Sequence, residues 1–124
     1  MEDQKMIKNA KLQNMFKLSC KVTVYIPSTT DINKQIDNTE YINQCASLLS
    51  ECFGGATSTP ALGYWMSNTV GLVKENTTMV FSYASDTDLQ ANIEKVITFC
   101  ENLKTELTQD AIALEINGDF GFKC

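Results

Sequence analysis

GYWMSNTVGLVKENTTMVFSYAS, residues 63–85, holds the only Trp of the chain, two Gly residues, a Lys-Glu pair and a run dense in β-branched and aromatic side chains. It predicts a hairpin. One strand runs over Ala56–Met66, Ser67–Gly71 turns the chain, and Asn76–Ala84 returns as a second strand. Pro60 lacks a ladder donor, so the first of these belongs at a sheet edge. The second carries apolar residues on both faces, Met79, Phe81 and Tyr83 against Val80 and Ala84, as a central strand does. Because Thr78, Val80, Ser82 and Ala84 are the smaller and more polar set, Phe81 and Tyr83 are expected to face the core.

Upstream, Phe16–Pro27 alternates almost without fault. Phe16, Leu18, Cys20, Val22, Val24 and Ile26 point one way; Lys17, Ser19, Lys21, Thr23 and Tyr25 point the other. Period-two patterning of this length describes a strand buried on one face. Pro27 ends it and SerThrThrAsp opens a loop. Asp37 with Glu40 reads as a capping box for a helix whose stripe is Ile42, Cys45, Leu49 and Cys52–Phe53, stopped by Gly54–Gly55. Downstream, Ser85 and Asp88 form a second box. Leu89, Ile93, Val96–Ile97, Cys100, Leu103 and Leu107 recur at helical spacing. Ala111–Ile116 alternates again, Asn117–Gly118 signals a tight turn, and Asp119–Lys123 is a short last strand.

The order is β-α-β-β-α-β: an α+β, ferredoxin-like antiparallel sheet with two helices on one face. Residues 1–14 are polar and mixed in charge, so they read as a flexible N-terminal arm before a single domain over 15–124.

Composition narrows function by exclusion. A net charge of −5 argues against nucleic acid, whose phosphates are held by clustered Lys and Arg. All ten basic residues are Lys, and there is no His. Arg clamps, His bases, Ser–His triads and His metal sites are therefore absent from the repertoire. Cys20, Cys45, Cys52, Cys100 and Cys124 contain no C-x-x-C pair and four of them fall on apolar stripes or faces, so they read as reduced buried thiols in a cytoplasmic protein. GGATSTP at 54–60 lacks the Gly-Lys-Ser/Thr ending of a phosphate loop. No metal or cofactor is implied.

The spacing from Gly63 through Trp65, Gly71, Leu72 and Glu75 into an apolar strand resembles a little-characterised bacterial family of small ferredoxin-like domains. Its pattern is Gly-x-Trp, then Gly-x-Leu-x-x-Glu, then a hydrophobic strand. A weaker likeness runs to the CutA and PII-like trimers, through the Trp-bearing hairpin and a terminal strand similar to AIALEI. Both resemblances imply a homo-oligomer, dimer or trimer, that covers the helix-free face of the sheet.

That face is where a site belongs. The first strand presents Lys21, Thr23 and Tyr25 there, and the last presents Glu115, with a Lys21–Glu115 pair expected within reach. As a plain surface ion pair it contributes about 0–1 kcal/mol; as a polar pocket it orients a ligand. Trp65 and Glu75 on the hairpin complete the candidate set. If Phe81 and Tyr83 turned to the open side beside Tyr25, the face would resemble an aromatic RNA platform. The leading expectation is a non-enzymatic, oligomeric binding protein whose small ligand or partner sits at the open sheet face or a subunit interface. The alternative is a small acidic inhibitor of another protein complex, of the phage or mobile-element anti-defence type. A monooxygenase or isomerase of this fold ranks third.

Overall fold

Five strands form the sheet that organises the molecule. The computed structural model describes residues 9–15, 18–31, 34–117 and 121–123. Its elements are α1 (Ala10–Gln13), β1 (Cys20–Pro27), β2 (Thr29–Thr30), β3 (Lys34–Gln35), α2 (Thr39–Phe53), β4 (Thr57–Ser67), β5 (Gly71–Ala84), α3 (Asp86–Glu106), β6 (Ala113–Ile116) and β7 (Gly121–Lys123). The sheet order is β4-β5-β1-β6-β7, every pair antiparallel. This is the ferredoxin-like order expected, with β7 added beyond β6. β4 lies at the edge, as Pro60 requires.

Cys20, Val22, Val24 and Ile26 of β1 are buried, together with Val80 and Ala84 of β5 and Leu114 of β6. α2 covers this face with Cys45, Leu49, Cys52 and Phe53, and α3 with Leu89, Val96, Cys100 and Leu103. Cys20, Cys45 and Cys52 are free thiols of this core. Burial pushes the Cys45 thiol up to about 12, so it packs as a small apolar group and not as a nucleophile.

Local signals at the helix ends divide. Ser85 accepts from the Asp88 N–H at 3.1 Å, the expected cap of α3. Gly54 stops α2 at φ 99, the left-handed conformation that glycine adopts without strain. The Asp37–Glu40 box does not form. Asn38 is the N-cap, and its side chain donates to the Ile26 and Pro27 carbonyls instead of capping. Asp37 accepts from the Thr39 N–H at 3.0 Å and hydroxyl at 2.6 Å. A bond across to β1 has displaced a local cap.

Three further expectations are corrected. The first strand begins at Cys20, and Leu18 is 42% exposed; Phe16 and Lys17 lie outside the described residues. SerThrThrAsp is not wholly a loop, because Thr29–Thr30 pairs with Lys34–Gln35 in a separate two-stranded sheet. Phe81 and Tyr83 do not face the core. Val24 pairs with Val80, Val22 with Ser82 and Cys20 with Ala84, which sends the small residues of β5 toward the helices. Small side chains let α2 sit close, and the Ser82 hydroxyl is satisfied by the Gly55 carbonyl. Residues 1–8 of the expected N-terminal arm, Gly118 of the tight turn and Asp119–Phe120 of the last strand lie outside the described residues; Asn9–Met15 are exposed.

Candidate functional site

Across the helix-free face, register lines up Thr57, Phe81, Thr23, Glu115 and Gly121 on successive strands. Lys21 and Tyr25 flank Thr23 along β1, and Tyr83 stands opposite Lys21. Neighbours in such a row are about 5 Å apart. The result is a basin. Its floor is Thr23, only 2% exposed although it faces away from the helices.

The walls are two distinct pairs. On one side the Tyr25 hydroxyl donates to Glu115 Oε1 at 3.0 Å. Burial, then that hydrogen bond, then the Glu115 charge raise the Tyr25 phenol above its ordinary value. On the other side Phe81 and Tyr83 meet edge to face, with ring centroids 6.0 Å apart at 85°. The Lys21 ammonium lies 4.5 Å from the Phe81 centroid and 5.7 Å from that of Tyr83. Both contacts are within the range where a ring quadrupole attracts a cation.

The expected Lys21–Glu115 pair is therefore replaced by these two. The Tyr25 hydroxyl has taken a Glu115 carboxylate oxygen, and the Lys21 ammonium lies over the aromatic rings. Glu115 is opposite Thr23, so Lys21 and Tyr25 are both diagonal to it, and Lys21 is tied to Asn117 by its carbonyl, which accepts the Asn117 N–H at 2.8 Å, and by its N–H, which donates to Asn117 Oδ1 at 3.1 Å.

Of the six residues singled out from the sequence, the fold gathers Lys21, Thr23, Tyr25 and Glu115. Trp65 and Glu75 lie elsewhere. Glu75 is six residues from Phe81 along β5, about 20 Å at strand rise. There its carboxylate accepts from the Thr29 hydroxyl, opposite Gly63 and diagonal to Trp65. Ser28 donates to the Asn76 carbonyl at 2.7 Å, tying the β1–β2 link to the same place. Phe81 and Tyr83 are the residues of the candidate site that sequence reasoning misplaced; only the identity of their β1 partners reveals them.

Beside the basin, a cleft of about 390 Å3 opens between Phe81–Tyr83 and the crossing from α2 to β4. Among the described residues no cluster of His, Cys, Asp or Glu is suited to a metal ion, and no helix is long and apolar enough to cross a membrane.

No protein-family model and no curated protein matches the chain. Solved structures do. A phage SAM lyase in complex with S-methyl-5'-thioadenosine aligns over 90% of this chain and 92% of that one, at 13% identity and a TM-score of 0.63. A phage SAM lyase in the apo state aligns over 89% and 94%, at 15% identity and a TM-score of 0.63. CutA from Synechococcus elongatus aligns over 82% and 78%, at 10% identity and a TM-score of 0.48. At these identities the likeness is one of fold. CutA is the weaker resemblance already drawn from the Trp-bearing hairpin.

Proposed function

We propose that this protein binds an adenosyl sulfonium of the SAM type on its open sheet face and breaks one of its carbon–sulfur bonds. The observation that carries this reading is the cation held over Phe81 and Tyr83. Lys21 occupies an aromatic site across Thr23 from a carboxylate, Glu115, and a sulfonium needs the same two things: a π-face and a counter-charge. The full-length fold likeness to a phage SAM lyase supplies the substrate class, and fold alone does not assign chemistry.

The repertoire suits that reaction. A sulfonium sulfur leaves as a neutral thioether, so the step needs no general acid, and the lack of His and Arg is no obstacle. When the bond to the amino-acid chain breaks, the electron pair goes to sulfur and methylthioadenosine departs. The carbon that loses sulfur is satisfied in one of two ways. The fragment loses a proton to a carboxylate base, or it closes on its own carboxylate. Glu115 is the base in the first case and a counter-charge in the second. Thr23 offers the buried hydroxyl.

Assembly is part of the proposal. Leu62, Tyr64, Met66, Val70 and Leu72 are each more than half exposed on the outer part of the hairpin, and β4 carries no charged residue. A second copy covering this surface, in a homodimer or homotrimer, accounts for both, and the reduced thiols suit a cytoplasmic setting. The same surface favours a second reading, in which the chain docks on and inhibits another protein.

The test is direct. Purified protein is incubated with SAM and the products are separated by chromatography and mass spectrometry. Methylthioadenosine is expected, with loss of at least about tenfold in rate for Glu115→Gln, the order of one removed general base or counter-charge. No product from the wild type sinks the lyase reading. Normal turnover in Glu115→Gln with loss in Glu75→Gln moves the chemistry to the hairpin. A monomer that neither binds nor cleaves SAM favours the inhibitor.

A further inference from the structure

We infer that Lys21 is a specificity-determining residue of the open face: an internal cation that a sulfonium displaces from Phe81 and Tyr83, and that returns once the ligand's sulfur is neutral. The ligand's identity rests on the sulfonium reading; the exchange of one cation for another does not.

The two parts of Lys21 are held differently. Its backbone is fixed on both sides by Asn117. Its side chain is a flexible four-carbon stem, partly buried, that carries the ammonium to 4.5 Å from the Phe81 centroid and 5.7 Å from that of Tyr83. The rings stand at 85° to each other, so they form a corner that holds the ammonium. Tyr83 is half exposed and pairs with Lys21 across the strands, so the corner opens to solvent and leaves the stem a way out.

A second cation drawn to these rings meets one already there. Like charges in contact repel, so one of them leaves. Hydration decides which. A lysine ammonium is compact and strongly hydrated, and its three N–H donors find no full acceptor on an aromatic face. A sulfonium carries its charge among three carbon substituents and has no donor to satisfy. It loses less by leaving water for a ring, and the freed ammonium regains its hydration. The exchange therefore favours the sulfonium, as aromatic cages favour quaternary ammonium groups.

A thioether fares otherwise. Uncharged, it keeps only a sulfur–aromatic contact, and the ammonium competes for the same rings. One cation–π contact at an exposed site corresponds to about a two- to fivefold difference in population. Lys21 lowers by that factor the affinity of any ligand that needs the rings free. The charge of a sulfonium offsets the loss, and a neutral sulfur has no such charge. The face thus admits a ligand before its carbon–sulfur bond breaks and releases it afterwards.

The full chain, isotope-labelled, is titrated by NMR with trimethylsulfonium and separately with dimethyl sulfide, which stand for the sulfur before and after it loses a substituent. Protons over an aromatic face are shielded, so the methylene beside the Lys21 ammonium is expected upfield of its counterparts in other lysines. Saturating trimethylsulfonium should return it to the ordinary lysine position; dimethyl sulfide should leave it in place. Lys21→Ala should bind trimethylsulfonium about two- to fivefold more tightly, the order of one exposed cation–π contact. Lys21→Arg, which keeps a cation on the rings, should bind it no more tightly than the wild type. Lys95→Ala removes the same charge from the exposed side of α3 and should change nothing. Thermal unfolding confirms that the variants are folded. A Lys21 signal unmoved at saturation, equal movement with both probes, no binding of trimethylsulfonium, or wild-type affinity in folded Lys21→Ala overturns the role of Lys21. Displacement of Lys21 without SAM cleavage upholds it while the lyase reading fails, and SAM cleavage with Lys21 unmoved does the reverse.

Discussion

The base and the tip of the β4–β5 hairpin are one continuous ladder with opposite fates. From Thr57 opposite Phe81 to Ser67 opposite Gly71 the register never slips. At the base, Val80 and Ala84 are buried at 0% and 1% exposure. At the tip, Met66 and Val70 are exposed at 70% and 74%. Composition does not separate them. The length of β1 does, since it ends at Pro27 opposite Thr77 and offers the tip nothing to lie on. An apolar strand thus declares that it will be covered without declaring by what. At the base the cover is α2. At the tip none of the described residues covers it, and an uncharged edge strand with only Pro60 to blunt it is an open template for pairing.

The sharpest way to break this comparison is to truncate one apolar side chain at each end. Leu49→Ala, where α2 covers the base, is expected to cost about 2–5 kcal/mol in urea unfolding, as buried leucines do. Leu72→Ala at the tip should change the stability of the isolated chain by no more than about 0.5 kcal/mol. Equal losses would mean that the tip is already covered within one copy.

Next comes assembly. Replacing both Met66 and Leu72 by Ser should convert an oligomer into a monomer in light scattering, with an unchanged circular dichroism spectrum. A wild type that is already monomeric at micromolar concentration would remove the need for a second copy.

The smallest effect sharpens the base itself. Tyr25 is held neutral by burial, by its bond to Glu115 and by that group's charge. A raised phenol pKa contributes stability that is fully present below the ordinary value of 10.0 and is lost as pH rises through the folded value. The urea midpoint should therefore fall more steeply above about pH 10 in the wild type than in Tyr25→Phe. Parallel curves would show that the hydrogen bond makes no difference to stability.

Much of this architecture was legible because it is local. Alternation over Cys20–Ile26, helical spacing from Leu89 to Leu107, the Ser85 cap and the Gly54 stop each follow from a few neighbouring residues. The Asp37–Glu40 box was misread for the converse reason: Asn38 finds better acceptors on β1, which no local window contains. The site divides in the same way. Lys21, Thr23 and Tyr25 share a face by parity alone, and Glu115 joins them once β6 is placed beside β1. Phe81 and Tyr83 were assigned to the core because Thr78, Val80, Ser82 and Ala84 are the smaller and more polar set, yet it is that small set that lies opposite the buried residues of β1.

By itself, then, the order of residues determined the main strands and the two long helices, their succession and the chemistry withheld from the chain, because period, caps and composition are properties of short stretches. Only the tertiary structure decided which side of residues 63–85 is core. That choice is made by one register, Val24 against Val80, and by how closely α2 approaches the small side chains beside it. With that register in place, Lys21 lies over the aromatic pair, Glu75 is carried about 20 Å from the basin at strand rise, and the tip of the hairpin is left uncovered by the described residues.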